Sequence, residues 1–296
     1  MRSSPFKYAL LILPLIGLSF AYWGFQGHKL VNEYAIYACN DELFAFYKAN
    51  KEYIIENAVA ADIRKHSDPE EAPRHYIDID VYSVDGSNPF GEMPRGWELA
   101  KNKFTEDTLK AFGTLPWNTL WVYYDLVEAF KVKDKDEILR LSADLGHYIA
   151  DACVPLHTTL NYDGQLTGQK GVHSFWESRL VELYSDNYDL SGIKAEYIEY
   201  PKDYIWDVII ESHSHVKVLL EAERNASNSV SDAMKYTYIE RNGKDELQPS
   251  EAFSMAFDQN MGNMVEMRMR SSVEALSSLW LSAWVDAGQP DLSTLE

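Results

Sequence analysis

The sequence is poor in positive charge. Lysine and arginine number 27 against 46 aspartates and glutamates, giving a formal net charge of −19. Such a chain repels bare nucleic-acid backbone and anionic membrane unless a local site reverses the sign, and bound cations are one way to reverse it. Cysteine is nearly absent, with only Cys39 and Cys153. In an exported protein the two allow a single disulfide; otherwise they act as small buried hydrophobes. Neither fits a metal cluster better than the histidines do. Strand signals are also scarce. There is no convincing series of alternating runs, no Gly-rich strand-to-helix turn and no internal repeat. Those absences leave an all-α fold as the reading.

The chain lacks a convincing transmembrane run. ALLILPLIGLSF at 9–20 is shorter than the roughly 20 apolar residues a spanning helix needs. It follows Arg2 and Lys7 with no acid before it. It ends in Ser19-Phe20-Ala21, a small-x-small site. Residues 1–22 are therefore expected to be an export signal, placing the protein outside the cell or in the periplasm. About half the remaining chain is apolar or aromatic, enough for a sizeable core. Apolar residues recur every three or four positions over 29–48, 115–131 and 136–153. Residues 172–185, 203–222 and 251–286 are expected to be helical too. Two segments, 64–95 and 223–250, look loose. Candidate ligands lie on both sides of the first, so one multi-helical domain over about 23–290 is expected.

The informative stretch is SADLGHYIADACVPLH at 142–157, followed by GVHSFWES at 171–178. On a helix, residues four apart share a face. His147 and Asp151 thus offer an imidazole and a carboxylate one turn apart, a half-site for zinc. His173 and Glu177 repeat that spacing, and His157 lies just past Pro155. Further upstream are His75 in RHYIDID, Asp62, and His28 after Trp23. A lone histidine is ordinarily packing or surface. Two His-x-x-x-acid pairs within about thirty residues, with another histidine between them, point to a metal constellation. His66 sits in a charged turn. His213 and His215 are two apart and share no helix face, so they are set aside.

WGFQGH, HYIDID, LSADLGHYIADACVPLH and GVHSFWES together resemble the superfamily that joins zinc-dependent phospholipases C with single-strand-specific zinc nucleases. The resemblance covers about residues 23–180. It implies an all-helical fold with three zinc ions in a cleft. It implies one zinc held by Asp62, His75, His147 and Asp151, and a second by His157, His173 and Glu177. A third would be held by the backbone of Trp23 with His28, and Asp151 would bridge the first and third. In that family the mature chain begins at the tryptophan. Here the small-x-small site favours cleavage after Ala21, one residue earlier.

Clustered zinc ions lower the pKa of a shared water and neutralise phosphoryl oxygens. The expected activity is therefore hydrolysis of phosphoric esters by metal-bound hydroxide, with Asp62 and Asp151 as catalytic carboxylates. Glu177 and the short step from His157 to His173 look like the phospholipases C, whereas the early Trp-x-x-x-x-His looks like the nucleases. The expected substrate is a phosphodiester. A phospholipid is the first reading, and single-stranded nucleic acid or a nucleoside 3′-monophosphate is the alternative. Phe25, Tyr162 and Phe175 are the candidate base-stacking aromatics. A secreted zinc-binding protein without turnover is the remaining reading, and no stable protein partner is expected.

Overall fold

A computed structural model describes residues 22–83, 86–241 and 243–295, with the side chains of 22–24 and 241 excepted. Residues 1–21, with the expected cleavage site after Ala21, lie outside the described part. Helices dominate. The N-terminal set is α1 (Tyr22–Ala38), α2 (Asp41–Ala49), α3 (Lys51–Asn57) and α4 (Ala60–Arg64). The short α5 (Pro89–Glu92), α6 (Trp97–Phe104) and α7 (Glu106–Ala111) lead to the long antiparallel neighbours α8 (Leu115–Val132) and α9 (Lys135–Cys153). Then come α10 (Val172–Ser174), α11 (Leu180–Tyr184), α12 (Pro201–Ser214) and α13 (Val216–Ser229). The chain closes with α14 (Glu251–Met261) and α15 (Met264–Asp286). The all-α expectation holds, with one two-stranded sheet among the described residues.

That sheet corrects the loose reading of 223–250. Strands β1 (Tyr236–Arg241) and β2 (Lys244–Pro249) pair antiparallel, with Tyr238 opposite Leu247. The turn signal was present in the sequence. Asn-Gly at 242–243 is the pair that two-residue hairpins favour, and Gly243 has φ +74°. The strands were obscured because their residues are mostly exposed, with no alternating buried face. Three helical runs also break. Asn40 ends the first, and its side chain accepts from Leu43 N to cap α2. His215 separates α12 from α13. Gly262 and Asn263, at φ +62° and +63°, separate α14 from α15. Periodicity carries across such breaks, because a cap interrupts the backbone without changing the apolar face.

Helix α9 is the central element. Asp134 caps its start by accepting from Glu137 N, and Pro155 forbids its continuation beyond Val154. Every residue from Leu141 to Cys153 is buried. Helices α1, α8, α12 and α15 pack around it. Its last carbonyls lack intrahelical partners and are met from neighbours. Ser212 of α12 donates to Ala152 O at 2.6 Å, and Arg268 of α15 donates through Nε to Cys153 O at 2.9 Å. Cys153 is buried and Cys39 half-buried, and both are free thiols, so no bridge joins them.

Helix α1 crosses α9 at Gly146, where a Cβ would stand 2.2 Å from Asn32 Oδ1. Asn32 is fully buried and donates to His28 O at 2.9 Å. Gly146→Ala is therefore expected to destabilise the protein by about 1–3 kcal/mol through overpacking. Helix propensity alone predicts the opposite sign, by about 1 kcal/mol. A denaturant titration decides between them, and a stabilised variant would contradict the close approach.

Candidate metal centre

Seven elements deliver the candidate ligands. His28 comes from α1, Asp62 from α4, and His147 and Asp151 from adjacent turns of α9. His75 ends a 3₁₀ turn, Ala72–His75, and His157 sits in another, Pro155–Thr158. The two turns are joined, since Ile77 N donates to His157 O at 2.8 Å and His157 Nδ1 lies 2.5 Å from His75 O. His173 belongs to α10. Glu177 follows on a π-helical stretch, Phe175–Arg179, a widened turn of the kind that recurs at functional sites.

These elements bring eight side chains together. His75 Nδ1 and His147 Nε2 are 2.9 Å apart, and Asp151 Oδ2 lies 2.9 Å from the first and 3.3 Å from the second. Asp62 Oδ1 completes this group at 3.8 and 3.7 Å from the same two nitrogens. The other Asp151 oxygen faces His28 Nε2 at 3.4 Å and His157 Nδ1 at 3.6 Å. Asp151 thus stands between the first group on one side and His28 and His157 on the other. Glu177 Oε1 meets His157 Nε2 at 3.0 Å and His173 Nε2 at 3.1 Å. Trp23 lies in the first turn of α1, and its side chain is outside the described part.

The donor set suits a divalent cation. His147 Nδ1 lies 2.8 Å from Ala58 O, so that nitrogen is the donor and Nε2 carries the lone pair. That lone pair points at His75 Nδ1 and at a carboxylate. Acceptors converging in a buried place repel one another unless something positive sits among them, either protons or a metal. Ligand atoms 2.0–2.2 Å from one ion are roughly 3–3.5 Å apart, comparable to the spacings here. The set is also mixed nitrogen and carboxylate oxygen, as zinc accepts. His28 Nδ1 is a buried nitrogen without a hydrogen-bond partner.

Without metal, protons fill that role. Burial works against charge on His157, but Asp151 and Glu177 outweigh it and hold its pKa up at about 9. Burial likewise opposes charge on His147, yet Asp151 and Asp62 raise its pKa. Burial would raise Asp62, but His147, His28 and Lys65 keep it down at about 2. Asp151 is held well below the carboxylate range by His147 and His157 despite its burial, and Glu177 is held low by His173 and His157. His28 is lowered, first by burial and then by the neighbouring His147.

The centre floors an open cleft of about 620 Å³. Its walls include Phe25, Tyr76 and Tyr162, and Tyr162 stands edge-on to His173 with ring centroids 6.0 Å apart. Phe175 is not part of it. That ring is buried against Phe253 and Phe257. His213 packs edge-on to Phe90, and neither it nor His215 lines the cleft, whereas His66 does. Sequence reasoning missed Lys65, whose Nζ is 2.7 Å from Asp62 Oδ1, and Asp78, a cleft carboxyl raised to about 6 by burial and by Asp80. It also missed Glu71, although Glu71 and His75 have the same four-residue spacing as the other acid–histidine pairs. Comparison of the chain with protein-family models and with curated proteins finds no match.

Proposed function

We propose that the protein is an exported zinc-dependent phosphoric ester hydrolase of phospholipase C-like type. The observation that carries this reading is the convergence of eight ligand-type side chains, seven of them lining one open, substrate-sized cleft and His147 buried behind it. His75, His147, Asp62 and Asp151 would hold one zinc, and His157, His173 and Glu177 another. His28 and Asp151, with the Trp23 backbone, would hold a third. Bound there, the ions would supply Lewis acidity, activating water and neutralising phosphoryl oxygens. Asp62 is the ligand carboxylate most open to the cleft, with 22% of its side chain exposed, so it can orient a water and accept its proton. Lys65 places an ammonium group at the same edge, where an ester's anionic oxygen would sit. A storage protein has no need of an open cleft over its metals, which favours turnover.

The phospholipid reading draws on Phe25, Ala72 and Leu156 in the cleft lining and on the net charge of −19, which disfavours a long polyanion. One observation favours the second reading, a single-strand nuclease or 3′-nucleotidase. Phe25, Tyr76 and Tyr162 beside the centre offer faces on which bases stack. Export is part of the proposal. Among the described residues no helix is long and apolar enough to cross a membrane.

A panel assay on zinc-loaded protein separates these outcomes. Its substrates are phosphatidylcholine, single-stranded DNA, RNA and a nucleoside 3′-monophosphate. Cleavage of phosphatidylcholine is the expected result. Preference for the nucleic acids or nucleotide would move the assignment to the second reading. Full metal loading with none of the four cleaved would leave a zinc-binding protein.

A further inference from the structure

Behind the candidate ligands lies a charge network built around three buried side chains, Glu71, Asp144 and Tyr148. Glu71 is fully buried at the far side of the His75 ring. Its Oε1 accepts from the Tyr148 hydroxyl and lies 3.3 Å from His75 Nε2. Its Oε2 is 3.3 Å from Arg64 Nε and 3.0 Å from Arg74 Nη1. Arg64 continues the network, donating through Nη1 to Asp144 Oδ1 at 2.9 Å and through Nη2 to the Tyr148 hydroxyl at 3.2 Å. Arg140 closes it on the other Asp144 oxygen at 2.9 Å.

The placement of this network is specific. Arg64 is two residues beyond Asp62 on α4. Asp144 and Tyr148 are on α9, one turn or less from His147 and Asp151. Glu71 opens the turn that ends in His75. One guanidinium therefore ties together the three elements that carry the first ligand group.

We propose that Glu71 is the positioning residue of the metal centre, acting through His75. This rests on the metal-centre reading above. An imidazole that binds metal through one nitrogen keeps its proton on the other, and a carboxylate facing that proton fixes tautomer and ring orientation. Glu71 faces Nε2, so Nδ1 is left as the ligand atom, and Nδ1 is the nitrogen that faces Asp62, His147 and Asp151. His75 Nε2 has no hydrogen bond of good geometry in this arrangement, although Glu71 Oε1 is its neighbour. A slight rotation of the ring as Nδ1 takes a ligand would make that bond. Tyr148, Arg64 and Arg74 are what keep the carboxylate ionised and immobile in a buried place.

The test compares wild type, Glu71→Gln and Asp144→Asn for zinc affinity by chelator competition. Asp144→Asn loosens the same network without touching His75. The expected result is that Glu71→Gln weakens the tightest-held zinc by about 10–100-fold. Asp144→Asn should change it by much less. Circular dichroism of the metal-free variants keeps folding separate from affinity. A second measurement needs no variant. Histidine ¹⁵N spectra of the zinc-loaded wild type should show His75 protonated at Nε2 and bound through Nδ1. Equal affinities in wild type and Glu71→Gln, equal losses in both variants, or an Nδ1-protonated His75 would overturn the role of Glu71 and leave the metal centre standing. A wild type that takes up no zinc would overturn both.

Discussion

Asp151→Asn is expected to abolish hydrolysis, lowering kcat/KM by at least about 10³-fold, the upper end for loss of one electrostatic stabiliser. The two oxygens of Asp151 face four of the candidate ligands. One of its oxygens serves His75 and His147, and the other serves His28 and His157. Asparagine keeps the shape but removes the charge and turns one of the two oxygens into an N–H donor. That group would then point at imidazole nitrogens that need an acceptor or a cation. Truncating one member of a buried ion pair typically costs about 3–5 kcal/mol, so stability falls as well. The comparison of the two losses is what discriminates. A hydrolase loses activity far beyond the fraction of protein that unfolds. A purely structural metal site loses its fold first, with any residual function following the folded fraction. Steady-state kinetics beside a denaturant titration of the same variant gives both quantities.

Zinc loading is expected to raise the melting temperature, and the increment should grow with pH. An ion present at about a thousandfold above its Kd stabilises the folded state by about 4 kcal/mol. For a chain of this size that corresponds to a shift of roughly 10 °C. The pH dependence follows from the protons that occupy the centre when metal is absent. His157 is raised from 6.5 to about 9 in the folded protein. Its stabilising contribution is complete below pH 6.5 and is lost as pH rises through about 9. Asp62 is lowered from 3.8 to about 2, so its contribution is present above pH 3.8 and is lost as pH falls through about 2. The metal-free protein should therefore be most stable between about pH 4 and 6.5 and weaken toward pH 9. Zinc must displace those same histidine protons, so its affinity rises over that interval and binding releases protons. Calorimetric melts at pH 6 and pH 8.5, with zinc and with a strong chelator, measure all of this. A melting point indifferent to zinc at both values would contradict the metal-centre reading.

Much of this protein was legible from spacing alone. The His147–Asp151 pair could be read because a helix places residues four apart on one face, and the run ending at Pro155 had to be a helix. Residues 173–177 were legible by the same rule, although the structure winds that turn as a π segment. The all-helical class followed from sparse strand patterning, and among the described residues only the exposed hairpin of β1 and β2 escaped it. Function-bearing aromatics were harder to sort. Phe25, Tyr162 and Phe175 all flank candidate ligands in the chain, yet two line the cleft and the third is core. Sequence proximity to a ligand does not say toward which side a ring turns.

The sequence by itself determined which residues offer candidate ligand atoms, that one helix carries His147 and Asp151, and that this helix stops before Pro155. These are local properties, written within a turn or two of each residue. Only the tertiary structure decided that α1, α4, α9 and the two 3₁₀ turns meet, that Asp151 stands between His28 and His75, and that Glu71 backs His75. Those contacts join residues from 4 to 123 positions apart, the latter between His28 and Asp151. They depend on how buried faces pack and on where Gly146 lets α1 come close to α9. Hydrophobic burial is non-directional, so pattern alone cannot assign a partner to each face.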